Sequence, residues 1–488
     1  MIPTREQAYE ALPAVEMLVG GKRIGSSERS TFEKLEPATG RVIAHVPNAT
    51  AQDVQDAVAG ARAAFPEWRD CRADVRRGIL QQVARLLREH DEEFSLIASV
   101  ETGAPYRLGT GSLAADFFDY YAGWVDKQEG LLVPTYPHKG LDYVRYEPYG
   151  VVAALLSWNG PTGACGLKTA AALAAGNCVV MKPSELGPLA PMRFAQLCLD
   201  AGMPENVVSL VTGGPEVGKA LVENPGIAKV TFTGGIATGR SILAAAAPHG
   251  KPVLLEMGGK SANLVFDDAD LSQVIPIAAA AVSANAGQVC LLPTRLMVQR
   301  SVYDEVVEGV VEAVQRVRVG DPLAEGTTMG PVINQSAVDR IVGFVNRAKD
   351  STDGGRLLTG GTRLGGDLDN GFFLSPAVFA DVDNRSELAQ NECFGPVLAI
   401  MPFDSDEDGV RMANDSDYGL AAYVNTRDVS RAHAVAGDLE AGYVSINGLF
   451  SMRAAAPFGG NKASGMGREG GRQGLDEFLQ AKNVQVFL

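Results

Sequence analysis

From residue 151 the chain alternates short apolar runs with helical stretches, and this alternation constrains the fold more than any other feature. Val151–Trp158 is an apolar run of the kind that a strand covered on both faces requires. An alanine-rich helix follows it and stops at Gly176. Strands are then expected at Cys178–Met181, Val207–Val211, Val230–Thr233 and Val253–Glu256, with helices at Pro188–Ala201, Val217–Glu223 and Thr238–Ala247. Such alternation means βαβ units and a parallel sheet. A second series begins with strand Ala262–Phe266, an alanine-rich helix, strand Thr294–Gln299 and a helix over 302–317. Later strands are expected near 397–403, 420–424 and 443–446, which makes a second α/β domain.

The stretches 53–65 and 72–90 read as amphipathic helices. Val54, Ala57, Val58 and Ala61 line the first, and Thr50 with Asp53 resembles a capping box. Val75, Ile79, Val83, Leu86 and Leu87 form the stripe of the second. Gly354–Gly371 reads as loop, and Asn483–Leu488 alternates like an edge strand.

A length of 488 residues allows two or three domains. The 43 basic and 58 acidic residues leave a net charge of −15, which repels phosphate backbones and argues against a nucleic-acid partner. Cys71, Cys165, Cys178, Cys198, Cys290 and Cys393 are scattered, forming neither a disulfide framework nor a zinc-binding pair. The five histidines show no HxxxH spacing, so no metal is expected and a serine–histidine triad is disfavoured. The N-terminal stretch lacks a basic start followed by an apolar run. The most apolar stretch, Val274–Ala284, is shorter than the roughly 20 residues a bilayer needs. A cytoplasmic protein without a membrane partner is expected.

Several motifs fall at predicted strand ends, where parallel sheets bind ligands. Gly234-Gly235-Ile-Ala-Thr238-Gly239 joins a strand to a helix, and backbone N–H groups there suit a pyrophosphate. The spacing is not GxGxxG, and by itself it fits a tight turn equally well. Lys182-Pro-Ser184-Glu185 offers a donor and an acceptor for ribose hydroxyls, and its acid disfavours a 2′-phosphate; a surface ion pair is the plainer reading. Cys290, after Gly287-Gln-Val289, is a candidate nucleophile or a packing cysteine. Glu256 ends an apolar strand, where burial raises a carboxylate's pKa and suits it to act as a base; it is equally placed to cap a helix. Asn159 can donate to an oxyanion or shape the turn before Gly160-Pro161. Glu392-Cys-Phe394-Gly-Pro396 pairs an acid with an aromatic ring ahead of another strand.

In this order the motifs are specific. Ser157-Trp-Asn159, Lys182-Pro-Ser-Glu185, Phe232-Thr-Gly-Gly-Ile-Ala-Thr-Gly239, Leu255-Glu-Met-Gly-Gly-Lys260, Gly287-Gln-Val-Cys290, Glu392-Cys-Phe-Gly-Pro396 and Pro457-Phe-Gly-Gly460 with Ser464-Gly-Met-Gly-Arg468-Glu469 resemble the aldehyde dehydrogenase superfamily over essentially the whole chain. The resemblance implies Cys290 as nucleophile, Glu256 as base and Asn159 as oxyanion donor, with Lys168 and Glu469 relaying protons to the base. It implies NAD, with NADP possible, held by Trp158, Lys182, Ser184, Glu185, Gly214, Gly218, Thr233, Gly234, Gly235, Thr238, Glu256, Gly258, Glu392 and Phe394. It also implies a Rossmann-like parallel-sheet cofactor domain (1–125 and 147–257), an α/β catalytic domain (258–458) and a β oligomerisation arm (126–146 and 473–488) in a homodimer or homotetramer. Gly235 departs from the pattern, standing where many relatives carry Ser.

The reaction implied is oxidation of a small-molecule aldehyde to a carboxylic acid through a cysteine hemithioacetal and thioester, with a poised Cys290 thiolate. By the same resemblance Gly160, Ala164, Leu167, Ala284, Val289, Leu291, Met452 and Phe458 line the substrate tunnel. They are small or apolar, which favours bulky hydrophobic aldehydes. Rival readings are a semialdehyde or coenzyme-A-acylating relative, and an inactive binding protein that keeps the fold.

Overall fold

The computed structural model describes residues 2–487. Met1, at the start of the expected cofactor domain, and Leu488, at the end of the expected closing strand and arm, lie outside the described residues.

The first sheet has eight strands. Its parallel centre runs in the order Val208–Leu210, Cys178–Lys182, Val151–Leu155, Lys229–Thr233, Val253–Glu256. The chain moves outward from Val151–Leu155 on one side, then returns to build the other. The order therefore reverses between Val151–Leu155 and Lys229–Thr233, and a crevice opens beyond their carboxyl ends. An antiparallel hairpin, Glu16–Val19 with Lys22–Gly25, closes one edge. Gly465–Met466 closes the other edge antiparallel to Val253–Glu256, so the tail of the chain returns to the first sheet.

Local chemistry sets the surrounding helices. Thr50 and Asp53 form a reciprocal capping box on helix Ala51–Arg69, and its expected stripe is buried. Helix Ala73–Glu89 is rotated from the expected stripe: Val75 is 47% exposed, while Arg76, Leu80, Val83, Ala84 and Leu87 are buried. The cause is Arg76. Its guanidinium donates to the carbonyls of Arg69, at 2.7 Å, and Ala174, at 3.3 Å. A cation thus serves the C-terminal ends of helices Ala51–Arg69 and Pro161–Ala175, where it is favoured.

The second sheet has seven strands in the order Arg356–Thr359, Ala377–Ala380, Val397–Phe403, Arg295–Gln299, Ala262–Val265, Ala421–Asn425, Tyr443–Ile446. All neighbours are parallel except the first pair. Gly354–Gly371 is therefore not all loop, because Arg356–Thr359 finds an antiparallel partner far along the chain. A third sheet joins Leu131–Val133, Gly140–Pro148 and Leu479–Phe487, with Leu479–Phe487 at an edge. Among the described residues no helix is long and apolar enough to cross a membrane.

Candidate active site

Cys290 stands at the end of a strained turn. After helix Leu271–Ser283, the residues Asn285, Ala286 and Gly287 adopt left-handed backbone at φ 48°, 53° and 72°. For a residue with a side chain such a conformation costs about 1–3 kcal/mol, so the surroundings must hold it. Gly287 has no alternative, since a Cβ there would strike the Gly395 carbonyl. Buried Gln288 does the holding. Its Nε2 donates to the Asn285 carbonyl and its Oε1 accepts the Ile333 N–H, both at 2.9 Å. Asn159 Nδ2 donates to the Gln288 carbonyl at 2.9 Å, and Asn285 Nδ2 donates to the Asn159 carbonyl at 3.1 Å. One turn thereby ties Asn159, beyond the first sheet, to Cys290, beside the second. The Asn159 amide keeps a second N–H for another acceptor.

Burial, Glu392 and Glu256 push the Cys290 pKa up to about 12. Two carboxylates and a poorly solvated sulfur thus weigh against the expected poised thiolate. Glu392 is itself raised to about 7 by burial, although it accepts the Gly259 N–H at 3.1 Å and feels Lys260 and Arg340.

Glu256 lies behind the cleft wall. Its carboxylate is buried, and neither oxygen has a hydrogen-bond partner among the described residues. Burial and the charge of Glu469 push it well above the ordinary carboxylate range, against the opposing pull of Lys168 and Arg468. A Cβ on Gly459 would lie 2.7 Å from Glu256 Oε1, so glycine leaves this room. Lys168 and Glu469 form an ion pair at 2.6 Å, with side chains 0% and 2% exposed. Lys168 Nζ also donates to the Phe232 carbonyl at 2.9 Å.

A cleft of about 1450 Å³ runs from Cys290 to helices Pro215–Glu223 and Ile236–Ala246. That exceeds the roughly 300–1,000 Å³ of an ordinary small-ligand pocket, so an elongated ligand fits. Trp158, Asn159, Lys182, Ser184, Glu185, Gly218, Thr233, Gly234, Gly235, Thr238, Gly258, Glu392 and Phe394 line it together with Cys290. Of the expected cofactor residues, Gly214 and Glu256 are outside the lining. Gly235 caps helix Ile236–Ala246 without a side-chain hydrogen bond, and a Cβ there would meet nothing within 4 Å. The first-turn N–H groups thus face open space suited to a pyrophosphate. Lys182 Nζ lies 3.2 Å from Glu185 Oε2 and donates to the Pro183 carbonyl at 3.0 Å, while burial lowers its pKa. Trp158 and Phe394 meet edge to face at 5.7 Å, with Phe394 held at φ 47°. Arg340, on helix Gln335–Asp350, supports this loop by donating to the Cys393 and Phe394 carbonyls. These features fit a dinucleotide: a basic and an acidic group for hydroxyls, a helix terminus for phosphates, and an aromatic pair near the thiol.

The expected tunnel residues divide. Val289, Leu291, Met452 and Phe458 gather with Cys290, Leu449 and Phe450 in one apolar cluster. Leu291 is 2% exposed and its carbonyl accepts the Tyr423 hydroxyl. Leu167 and Met452 pack on the first-domain core. Gly160 is exposed, Ala164 is buried and Ala284 is half-buried, all outside that cluster. Sequence reasoning gave no role to Gln288 and missed Arg340, Glu216 and Ile242. Glu216 and Ile242 reach the cleft through the registers of helices Pro215–Glu223 and Ile236–Ala246, and Arg340 through helix Gln335–Asp350.

A glycine-floored nucleotide cleft ending at a thiol, with buried carboxylates behind it, defines a cysteine-dependent dinucleotide oxidoreductase. A profile of the aldehyde dehydrogenase family matches residues 24–484. The fold is also similar to solved structures. An aldehyde dehydrogenase from Bacillus cereus in complex with NAD+ shares 37% identity over 100% of this chain and 99% of that one, with TM-score 0.95. A betaine aldehyde dehydrogenase from Staphylococcus aureus in complex with NAD+ shares 33% over 99% and 97%, with TM-score 0.95. A putative aldehyde dehydrogenase from Burkholderia cenocepacia shares 37% over 97% of each chain, with TM-score 0.94. The chain belongs to the aldehyde dehydrogenase family and is an NAD(P)-dependent aldehyde dehydrogenase.

Proposed function

We propose that this enzyme oxidises bulky hydrophobic aldehydes, of aromatic, terpenoid or medium-chain type, to carboxylic acids with NAD+. The observation that carries the reading is the convergence of Cys290, Asn159 and Glu392 at the inner end of one nucleotide-sized cleft. Residues 1–125 and 147–257 bind the dinucleotide, 258–458 carry the thiol, and 126–146 with 473–488 form the oligomerisation arm.

The chemistry follows from the residues. Cys290 sulfur adds to the aldehyde carbon, while Glu256, whose affinity for protons is raised, takes the thiol proton. The free Asn159 N–H and the Cys290 backbone N–H hold the oxyanion of the hemithioacetal; one such donor is worth about 2.7–4 kcal/mol. NAD+ held by Lys182, Glu185, the Gly234-Gly235 turn and Glu392 would supply a hydride acceptor for this carbon, whose oxidation leaves a thioester on Cys290. Glu256, having released its first proton, then removes one from a water that attacks the acyl carbon. The C–S bond breaks with its electron pair on sulfur, which takes the proton of the product acid and so returns to the thiol as the carboxylate leaves. Lys168 and Glu469 adjust the charge beside Glu256. Glu185 next to Lys182 disfavours a 2′-phosphate, which supports NAD.

The apolar cluster of Val289, Leu291, Leu449, Phe450, Met452 and Phe458 beside the thiol supports hydrophobic substrates. Exposed Leu131, Leu132, Val486 and Phe487 on the third sheet support a homodimer or homotetramer. Six unpaired cysteines support a reducing, cytoplasmic setting.

The test is a kinetic panel with Glu256→Gln alongside. Benzaldehyde and citral-like aldehydes should outperform acetaldehyde and succinic semialdehyde in kcat/KM; the reverse ranking overturns the substrate reading. Glu256→Gln should slow both the first NADH-forming turnover and the steady state, by about 10²–10⁴-fold, because the thiol and the attacking water lose the same base. Wild-type turnover in that variant overturns the base assignment.

A further inference from the structure

The Asn159 amide carries two N–H bonds fixed in one plane, and one of them donates to the Gln288 carbonyl at 2.9 Å. A single hydrogen bond leaves the group free to pivot about that contact. The direction of the second N–H therefore depends on how the Asn159 main chain is held. Asn159 stands between strand Val151–Leu155 and helix Pro161–Ala175 and belongs to neither. Gly160 beside it is exposed, and a Cβ there would meet nothing within 4 Å. Among the described residues the only hydrogen bond to the Asn159 main chain comes from Asn285, whose Nδ2 donates to the Asn159 carbonyl at 3.1 Å.

Asn285 suits that contact. Its Nδ2 also reaches the Gln288 carbonyl at 3.4 Å, the same oxygen that receives the Asn159 amide. Its Oδ1 is buried and has no hydrogen-bond partner among the described residues. The side chain thus works through its donors, and its acceptor is left unmet, which ordinarily lowers stability. The left-handed backbone at φ 48° narrows the choice of residue. Of glycine, asparagine and aspartate, which tolerate that conformation best, only asparagine has a side chain that can donate. A residue kept solely to make the turn would need no such donor, so glycine would serve as well.

We propose that Asn285 is a positioning residue for the oxyanion: by holding the Asn159 carbonyl, it aims the free Asn159 N–H at the oxygen of the hemithioacetal formed on Cys290. The proposal rests on the reading of Asn159 as an oxyanion donor. Asn285 acts through Asn159 and takes no part in making or breaking bonds. Both amides meet at the carbonyl of Gln288, two residues before Cys290, so donor and nucleophile are set by one turn. A donor works only within about 2.7–3.1 Å of the developing charge, and a tilted amide forfeits that contact.

Two variants keep a backbone at ease with the turn. Asn285→Gly deletes the amide, and Asn285→Asp keeps its shape while exchanging donors for acceptors. Each should lower kcat about ten- to hundredfold, with KM for NAD+ within about twofold of wild type. Alkylation of Cys290 by iodoacetamide, followed by the mass of its peptide, forms no oxyanion and should keep its rate in Asn285→Gly. Asn159→Ala combined with Asn285→Gly should be no slower than Asn159→Ala alone, because residues acting through one group share one loss. Wild-type kcat in both Asn285 variants overturns the proposal, and so does a double variant in which the two losses multiply. Alkylation that slows in step with kcat assigns Asn285 to the thiol turn and overturns it too. If the aspartate variant does not fold, the glycine variant carries the test. If Asn159→Ala loses activity while Asn285→Gly runs at the wild-type rate, only the positioning role fails. If Asn159→Ala itself runs at the wild-type rate, the oxyanion reading fails first and the positioning role falls with it.

Discussion

At one end the cleft is made from residues that are neighbours in sequence. Lys182 and Glu185 are three residues apart and already paired at 3.2 Å. Thr233, Gly234, Gly235 and Thr238 follow one strand into one helix. At the other end nothing is local. Asn159, Glu256, Cys290 and Glu392 come from four separate stretches and two sheets, and the Cys290 turn needs three consecutive left-handed residues. The end proposed for the phosphates would take its binding groups from regular secondary structure at little conformational cost. The thiol end uses strain and buried charge, both sustained by distant partners such as Gln288 and Arg340. Binding and chemistry are therefore separable, and substitutions should divide accordingly.

The largest expected effect tests that division directly. Cys290→Ala should abolish NADH formation with every aldehyde, while calorimetric NAD+ affinity stays within about twofold, since the sulfur is absent from the phosphate end. A collapse of cofactor binding in this variant would show that the two ends are one unit. Asn159→Ala should lower kcat by about 10²–10³-fold, the value of one oxyanion donor. Because Asn159 also holds the Gln288 carbonyl, its melting temperature should fall slightly, and that fall calibrates how far the turn depends on it.

Glu392 lies where the two ends meet. With its pKa raised to about 7, it is protonated below that pH and a carboxylate above it. A carboxylate accepts ribose hydroxyls better than an acid does, so KM for NAD+ should fall about three- to tenfold between pH 6 and pH 8. Glu392→Gln should flatten that dependence; an unchanged slope assigns the titration to another group. The smallest effect belongs to the phosphate end. Glu185→Gln should raise kcat/KM for NADP+ a few-fold while leaving NAD+ kinetics nearly unchanged, because only one repulsive charge is removed. A large loss with NAD+ would mean that Glu185 binds ribose more than it repels phosphate.

These contrasts follow how much could be read from the chain alone. The parallel-sheet strands and the glycine turn after Thr233 stood out because apolar runs and turn residues act over a few positions. The Val75 stripe was misplaced because a buried Arg76 answers to carbonyls on two other helices, a demand that no hydrophobic period records. Strand Arg356–Thr359 passed for loop because its pairing partner begins after Pro376, beyond any local window. Arg340 escaped for the same reason: its function lies in two carbonyls more than fifty residues away.

The sequence by itself determined the alternating architecture, the candidate nucleophile, base and amide donor, and the glycine turn between strand Lys229–Thr233 and the helix after it. Each of these rests on short-range sterics or on the chemistry of a single side chain. Only the tertiary structure decided that the surroundings of Cys290 favour a neutral thiol, and that Glu256 is buried with Glu469 pushing its pKa up. Desolvation and electric field depend on what surrounds a group in three dimensions, and residues hundreds of positions apart supply those surroundings.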